Sequence, residues 1–152
     1  MIKISAFLFT FDINKKTMLF QDIPGNLKVK KNLINTVKNK KVAHAQFFFG
    51  KQGGAQLVLA LAYAQFLNCE TPNIKDSCNT CSSCLKYNNI SHPDLHCVFP
   101  TLKTKNSTSD DFMSEWRVFV KQNEYGSLND WLDLIDVGKK STKKGVIYKD
   151  EI

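Results

Sequence analysis

Nowhere in this sequence do apolar residues run for the roughly 18 positions that a bilayer span requires. The most apolar stretches, 4–11 and 57–64, stop well short of that length, so a membrane-spanning reading is set aside. A secretory leader is lacking as well. Lys3 precedes the first apolar stretch, but Asp12 follows it with no small-residue cleavage site. Acidic residues are in the minority, 14 against 21 lysines and arginines, giving a formal net charge of +7. That balance suits an anionic partner such as nucleic acid, and it suits ordinary solubility equally well. With 43% hydrophobic and 23% charged residues among 152, the chain is expected to form one medium domain with its own core. Five cysteines do not make a disulfide framework here, because four are clustered and one is left over. The expectation is a cytoplasmic protein with reduced thiols.

What the chain does have is concentrated between Phe47 and Cys84. The short run Gln46-Phe47-Phe48-Phe49 reads as a strand buried on both faces of a parallel sheet. A Gly-rich turn follows, Gly50-Lys51-Gln52-Gly53-Gly54, and then a helix from Ala55 to about Asn68 that is apolar nearly all round. A strand, a Gly-rich loop and a helix N-terminus form the setting of a phosphate-binding loop. Such a loop also needs a lysine for the β/γ-phosphates and a hydroxyl for Mg²⁺, in the pattern G-x-x-x-x-G-K-[ST]. Counted from Gly50, Ala55 stands where the last glycine belongs, Gln56 where lysine belongs and Leu57 where Ser or Thr belongs. Gln carries no charge and Leu has no oxygen. The loop formed by Gly50, Gly53, Gly54, Gln56 and Leu57 is therefore expected to bind no ATP productively and to catalyse nothing.

Beyond the helix, Cys69, Cys78, Cys81 and Cys84 are spaced C-x8-C-x2-C-x2-C. Two-residue gaps let neighbouring thiolates face one ion, and Asp76, Ser77, Asn79, Thr80 and Ser82 supply the turns between them. Four sulfurs with no open position describe a structural, tetrahedral zinc site. A redox Cys-x-x-Cys pair and an iron–sulfur cluster are the competing readings; the overlapping pairs with a fourth cysteine argue against the first. Cys97 reads as a small buried apolar residue in a strand over 95–99.

Around this centre the pattern is simpler. Pro24-Gly25 marks a turn, and Asn26 is expected to cap a helix to about Asn39. Val29, Leu33, Ile34 and Val37 should face inward, with Lys28, Lys30, Lys31 and Lys38 outward. His44, His92 and His96 are assigned structural roles. Ser109 opens a helix carrying Phe112, Trp116, Phe119 and Val120, and Ser127 starts another with Trp131, Leu132 and Ile135 inward. Residues 139–144 read as a basic loop, and 146–148 as extended.

Taken in order, these elements resemble the bacterial DNA polymerase III clamp loader, in its gamma/tau and delta-prime subunits. The resemblance runs from Phe20 to Pro100. It is carried by Phe20-Gln21-Asp22-Ile23-Pro24-Gly25-Asn26, His44-Ala45-Gln46-Phe47-Phe48-Phe49-Gly50, Ala60-Leu61-Ala62-Tyr63-Ala64 and Leu67-Asn68-Cys69. Asp76-Ser77-Cys78, Cys81, Cys84 and His92-Pro93-Asp94-Leu95 complete it. It implies an α/β fold, an AAA+ P-loop-type parallel sheet flanked by helices, with an inserted four-cysteine zinc module at 69–84. It also implies work within a multi-subunit ATPase that loads the sliding clamp onto primed DNA.

In that family gamma hydrolyses ATP, whereas delta-prime commonly has a degenerate loop and acts as a stator that lends an arginine finger to its neighbour. Gln56 and Leu57 point to the delta-prime type, with gamma/tau and delta subunits as partners. No Walker B strand, Ser-Arg-Cys motif or collar domain is read here, so residues 18–152 are expected to be a partial, truncated AAA+ domain. Residues 1–17 precede the family's start and are expected to be an extension. The alternatives are an ATP-hydrolysing gamma/tau-like subunit and a free-standing zinc module that binds nucleic acid.

Overall fold

The computed structural model describes residues 18–102, 108–136 and 145–149. The expected extension at 1–17 and the basic loop at 139–144 lie outside the described residues. Five helices dominate the rest: α1 (Leu27–Lys38), α2 (Gln56–Leu67), α3 (Ser82–Asn88), α4 (Met113–Gln122) and α5 (Leu128–Ile135). Single 3-10 turns at Phe20–Asp22 and Ser109–Phe112 precede α1 and α4. Among the described residues one β pairing is formed, between β1 (Thr101–Leu102) and β2 (Gly145–Val146). It is antiparallel, with Thr101 opposite Val146 and Leu102 opposite Gly145. None of the described helices is long and apolar enough to cross a membrane.

The apolar character of α2 on every side has a direct structural consequence. One face packs with Phe20, Ile23 and Leu33 through Val58, Leu59, Ala62, Tyr63 and Phe66. The opposite side contributes Leu61 to a second core with Ile90, Phe99, Phe119, Val120 and Trp131. A helix with a core on both sides has no solvent face to make polar. In the second core the aromatic rings interlock: Phe99 stacks on Trp116 at 4.3 Å, and Trp131 meets both rings edge-on at 5.1 Å. The Trp131 indole N–H donates to Pro100 O at 2.7 Å, which ties α5 to β1.

Helix ends follow local chemistry. At α5, the Ser127 hydroxyl accepts from Asp130 N while Asp130 accepts from Ser127 N at 2.7 Å, a reciprocal capping box. The turn at Ser109–Phe112 carries the same device with Thr108 and Asp111. Asn26 does precede α1, but at φ 53° and with no cap bond from its side chain.

Three expectations are corrected. The run 46–49 forms no strand, and Phe47 and Phe49 are 87% and 82% exposed. Only Phe48 turns inward, against the first core. A strand is buried on both faces only when neighbours cover it, and no described segment lies alongside, so the parallel sheet is not formed among the described residues. The segment 95–99 makes no ladder either. The backbone N–H and C=O of Phe99 are both satisfied by the Ser109 hydroxyl at 3.1 Å, and strand pairing begins only at Thr101. On α1, Lys30 is buried and its ammonium donates to Ile23 O, whereas Val29 is 42% exposed. A long aliphatic stem with one carbonyl in reach lets lysine occupy an inward position.

Candidate metal centre and the Gly-rich loop

The two features flagged by the sequence sit at opposite ends of α2. At its N-terminus the Gly-rich loop closes on itself, with Gly54 N donating to Lys51 O at 3.0 Å and Gly53 at φ 74°. The Gln56 side chain folds back into this turn, its Nε2 donating to Lys51 O at 2.9 Å. A Cβ added at Gly50 would collide with Gln56 Nε2, and one at Gly54 would lie 2.6 Å from Gln56 Oε1. The glycines thus make room for a carboxamide belonging to the chain itself. Leu57 faces the other way and packs against the second core. The cleft beside the loop, about 400 Å³, is lined by the three phenylalanines of 47–49, Val29 and Leu59 together with Asn26, Lys51 and Gln56. Lys51 is exposed and lies five residues before Gln56, not at the position of the missing lysine.

At the other end of α2, the chain from Cys69 to Cys84 gathers four thiols. The Sγ atoms of Cys69, Cys78, Cys81 and Cys84 all lie within 4.8 Å of one another, a group that can hold a metal ion. The Cys78 and Cys84 sulfurs are 3.8 Å apart, and all four residues are free thiols. A tetrahedron with metal–sulfur bonds of about 2.3 Å has edges of about 3.8 Å. Donors from the backbone point at the sulfurs: Cys78 N at Cys69 Sγ (3.2 Å), Cys81 N at Cys78 Sγ (3.3 Å) and Cys84 N at Cys81 Sγ (3.4 Å). The last of these also starts α3, so ligand spacing and helix start are one local structure.

The thiols differ in environment. Cys78 is pushed down to about 5, chiefly by hydrogen bonding from the Thr71 side chain and then by the Thr80 and Cys81 backbone. Burial pushes Cys69 up, and burial reinforced by the Cys81 side chain pushes Cys84 well up.

The knot is tied to the rest of the fold by Asp76. Its carboxylate accepts from the backbone N–H groups of Phe20 (3.1 Å), Gln21 (2.9 Å) and Ser77 (2.9 Å). In sequence Asp76 reads only as a turn residue, and nothing in its neighbourhood announces a contact with residue 20. The other flagged residues play no part in either site. His92 stacks on Tyr87 at 4.5 Å and its Nδ1 accepts from Asp94 N, the structural role expected of it. His44 and His96 are exposed, and Cys97 is half-buried with its thiol pushed up by burial.

A family model described as DNA polymerase III, delta subunit, matches residues 25–147, a span holding both the loop and the cysteine cluster. The chain belongs to this family. It is 33% identical over 76 residues to the DNA polymerase III subunit tau of Bacillus subtilis (strain 168), covering 50% of this chain and 14% of that protein. To the subunit delta' of the same organism it is 34% identical over 73 residues, 48% of this chain and 22% of the relative. A subunit gamma from Buchnera aphidicola subsp. Baizongia pistaciae is 24% identical over 106 residues, 70% of this chain and 29% of that protein. The chain thus spans less than a third of the length of these curated relatives. No solved structure matches it.

Proposed function

We propose that this chain, over residues 18–152, supplies AAA+ domain sequence of a non-catalytic, delta-prime-type subunit of the DNA polymerase III clamp loader. In this reading it is a stator held in shape by structural zinc. The observation that carries the proposal is the Gln56 side chain. It stands where a phosphate loop has its lysine, and it fills the space between Gly50 and Gly54 where a phosphate would rest. A neutral amide donates a hydrogen bond but supplies no cation, and Leu57 offers Mg²⁺ no ligand, so the two groups that make such a loop productive are both missing. A subunit of this kind contributes shape and contacts to its neighbours, while hydrolysis occurs elsewhere in the complex. The relatives named gamma, tau and delta' support the same assembly, with gamma/tau and delta subunits as its contacts and the clamp and primed DNA reached through the complex, in the cytoplasm.

The AAA+ parallel sheet belongs to this proposal. Phe47 and Phe49, stacked at 5.7 Å and exposed, form an extended ridge that a neighbouring strand would cover. So does the zinc. The 3.8 Å sulfur separation and the backbone N–H groups aimed at sulfur fit tetrahedral Zn²⁺ held by Cys69, Cys78, Cys81 and Cys84. A coordinated divalent cation ionises thiols outright, so it supplies the charge that burial withholds from Cys84. With every ligand position filled by sulfur, the ion would hold α3 and the 69–81 loop together and take no part in a reaction.

Reconstitution tests the role. Adding this chain to gamma/tau and delta subunits should yield a complex whose ATP hydrolysis is unchanged when Gln56 is replaced by Ala. A chain that fails to enter the complex, or a complex whose hydrolysis depends on Gln56, contradicts the proposal.

A further inference from the structure

A groove of about 540 Å³ lies between α1 and the 73–76 turn, and shares no residue with the cleft beside the Gly-rich loop or with the four cysteines. One wall is a single stripe of α1. Leu27, Lys30, Lys31, Ile34, Asn35 and Lys38 follow the spacing i, i+3, i+4, i+7, i+8, i+11, which keeps them on one side of a helix. The facing wall is Ile74, Lys75 and Asp76. That wall is held in place from within. Asn73 N donates to Asp76 O at 2.8 Å and closes the turn that carries Ile74 and Lys75, while the Asp76 carboxylate is fixed by the N–H groups of Phe20 and Gln21. Both sides are therefore preformed, which spares a ligand the cost of ordering them.

The groove combines exposed apolar surface with positive charge. Leu27 is 78% exposed and Ile74 76% exposed, one large apolar side chain on each wall. Around them stand Lys31, Lys38 and Lys75, all exposed and none with a carboxylate partner among the described residues. Lys30, the remaining lining lysine, is buried with its ammonium on Ile23 O. Asp76 is the sole carboxylate of the lining, and backbone N–H groups take both of its oxygens.

These features select among occupants. A nucleic acid would pair phosphates with the lysines but set Leu27 and Ile74 against a charged backbone, and no exposed aromatic ring lines the groove for a base to stack on. A second copy of this chain, at +7, brings like charge to like charge. An acidic segment with apolar side chains meets both requirements, its carboxylates on the lysines and its apolar groups over Leu27 and Ile74.

We propose that this groove docks an acidic, amphipathic peptide segment of a partner protein, held by Lys31, Lys38 and Lys75 around the apolar pair Leu27 and Ile74. From Leu27 to Lys38 the stripe is about 17 Å long at a rise of about 1.5 Å per residue, room for about five extended residues. Neither the Gly-rich loop nor a metal ion takes part, so the proposal stands or falls apart from the subunit assignment.

The test selects a randomised, phage-displayed peptide library against the whole reduced chain with zinc present. Enrichment of Asp and Glu together with Leu, Ile or Phe is expected, and NMR titration with an enriched peptide should shift the amide signals of 27–38 and 74–76. Lys75→Glu and Ile74→Ser, both at exposed positions and checked for native circular dichroism, should each weaken that peptide about tenfold. A selection without binders, peptides lacking an acidic bias, or affinities within about twofold of native in both variants overturn the proposal. A single-stranded DNA oligonucleotide serves as the competing probe. If it binds through Lys31, Lys38 and Lys75 with no dependence on Ile74, and displaces the enriched peptide, the groove is a nucleic-acid surface and the proposal is overturned.

Discussion

The Asp76 carboxylate accepts the backbone N–H of Phe20 at 3.1 Å, across a separation of 56 residues. Its second oxygen takes the N–H of Gln21 at 2.9 Å, so one side chain caps a 3-10 turn and fastens the cysteine knot to the first core. Phe20 is a member of that core, in edge contact with Phe66 of α2 at 5.9 Å. The knot is therefore part of the fold's framework.

Replacing Asp76 by Ala should cost about 2–3 kcal/mol, because it strands buried N–H donors that had an ionised acceptor. Asp76→Asn keeps one acceptor oxygen and should lose less. Urea unfolding of the two metal-loaded variants against the native chain gives the comparison, and equal stability in all three would remove the framework role.

Metal removal should be felt beyond the knot. Structural zinc of this kind is worth on the order of 10–16 kcal/mol of apparent binding. Chelation in reducing buffer should melt α3 and the 69–81 loop, with loss of helical signal and of amide protection there, reversed by stoichiometric zinc. Cys84→Ser should abolish tight uptake. Elemental analysis of reduced, chelator-free native chain should find one zinc per chain.

The α5 cap makes a prediction in pH. Asp130 is held below the usual carboxylate range by hydrogen bonds from the Ser127 backbone N–H and hydroxyl. A depressed carboxylate contributes stability that is fully present above its ordinary value of about 3.9 and is lost as pH falls through the lower folded value. The stability difference between the native chain and Asp130→Asn should therefore be constant from neutral pH down to about 4 and shrink below it. Denaturant titrations of both proteins at several pH values read this directly, and a gap that widens on acidification would refute the assignment.

How far the sequence foretells this fold can be seen from particular residues. Spacing finds the four cysteines because ligand distance is local, and the structure brings them together. The apolar surround of α2 announces burial on every side, and Ser127 with Asp130 marks a helix start. What fails is non-local. Phe47-Phe48-Phe49 reads as a doubly buried strand, yet burial depends on neighbours that the run itself does not encode, and Phe47 and Phe49 stand in solvent. Charge alone places Lys30 outward, although its stem and one carbonyl suffice to hold it inward. Asp76 carries no motif; its importance comes from partners 56 and 55 residues away, visible only after folding. Gln56 is legible as a missing lysine, but not as the group that occupies the loop.

As proposed above, the loop that Gln56 fills takes no nucleotide. Its most direct test is equilibrium binding of labelled ATP to the metal-loaded chain with Mg²⁺ present. No saturable binding is expected up to roughly 1 mM, a level at which even weak sites of about −4 kcal/mol would begin to fill. Micromolar, Mg²⁺-dependent binding that is lost on altering Gly50–Leu57 would contradict it.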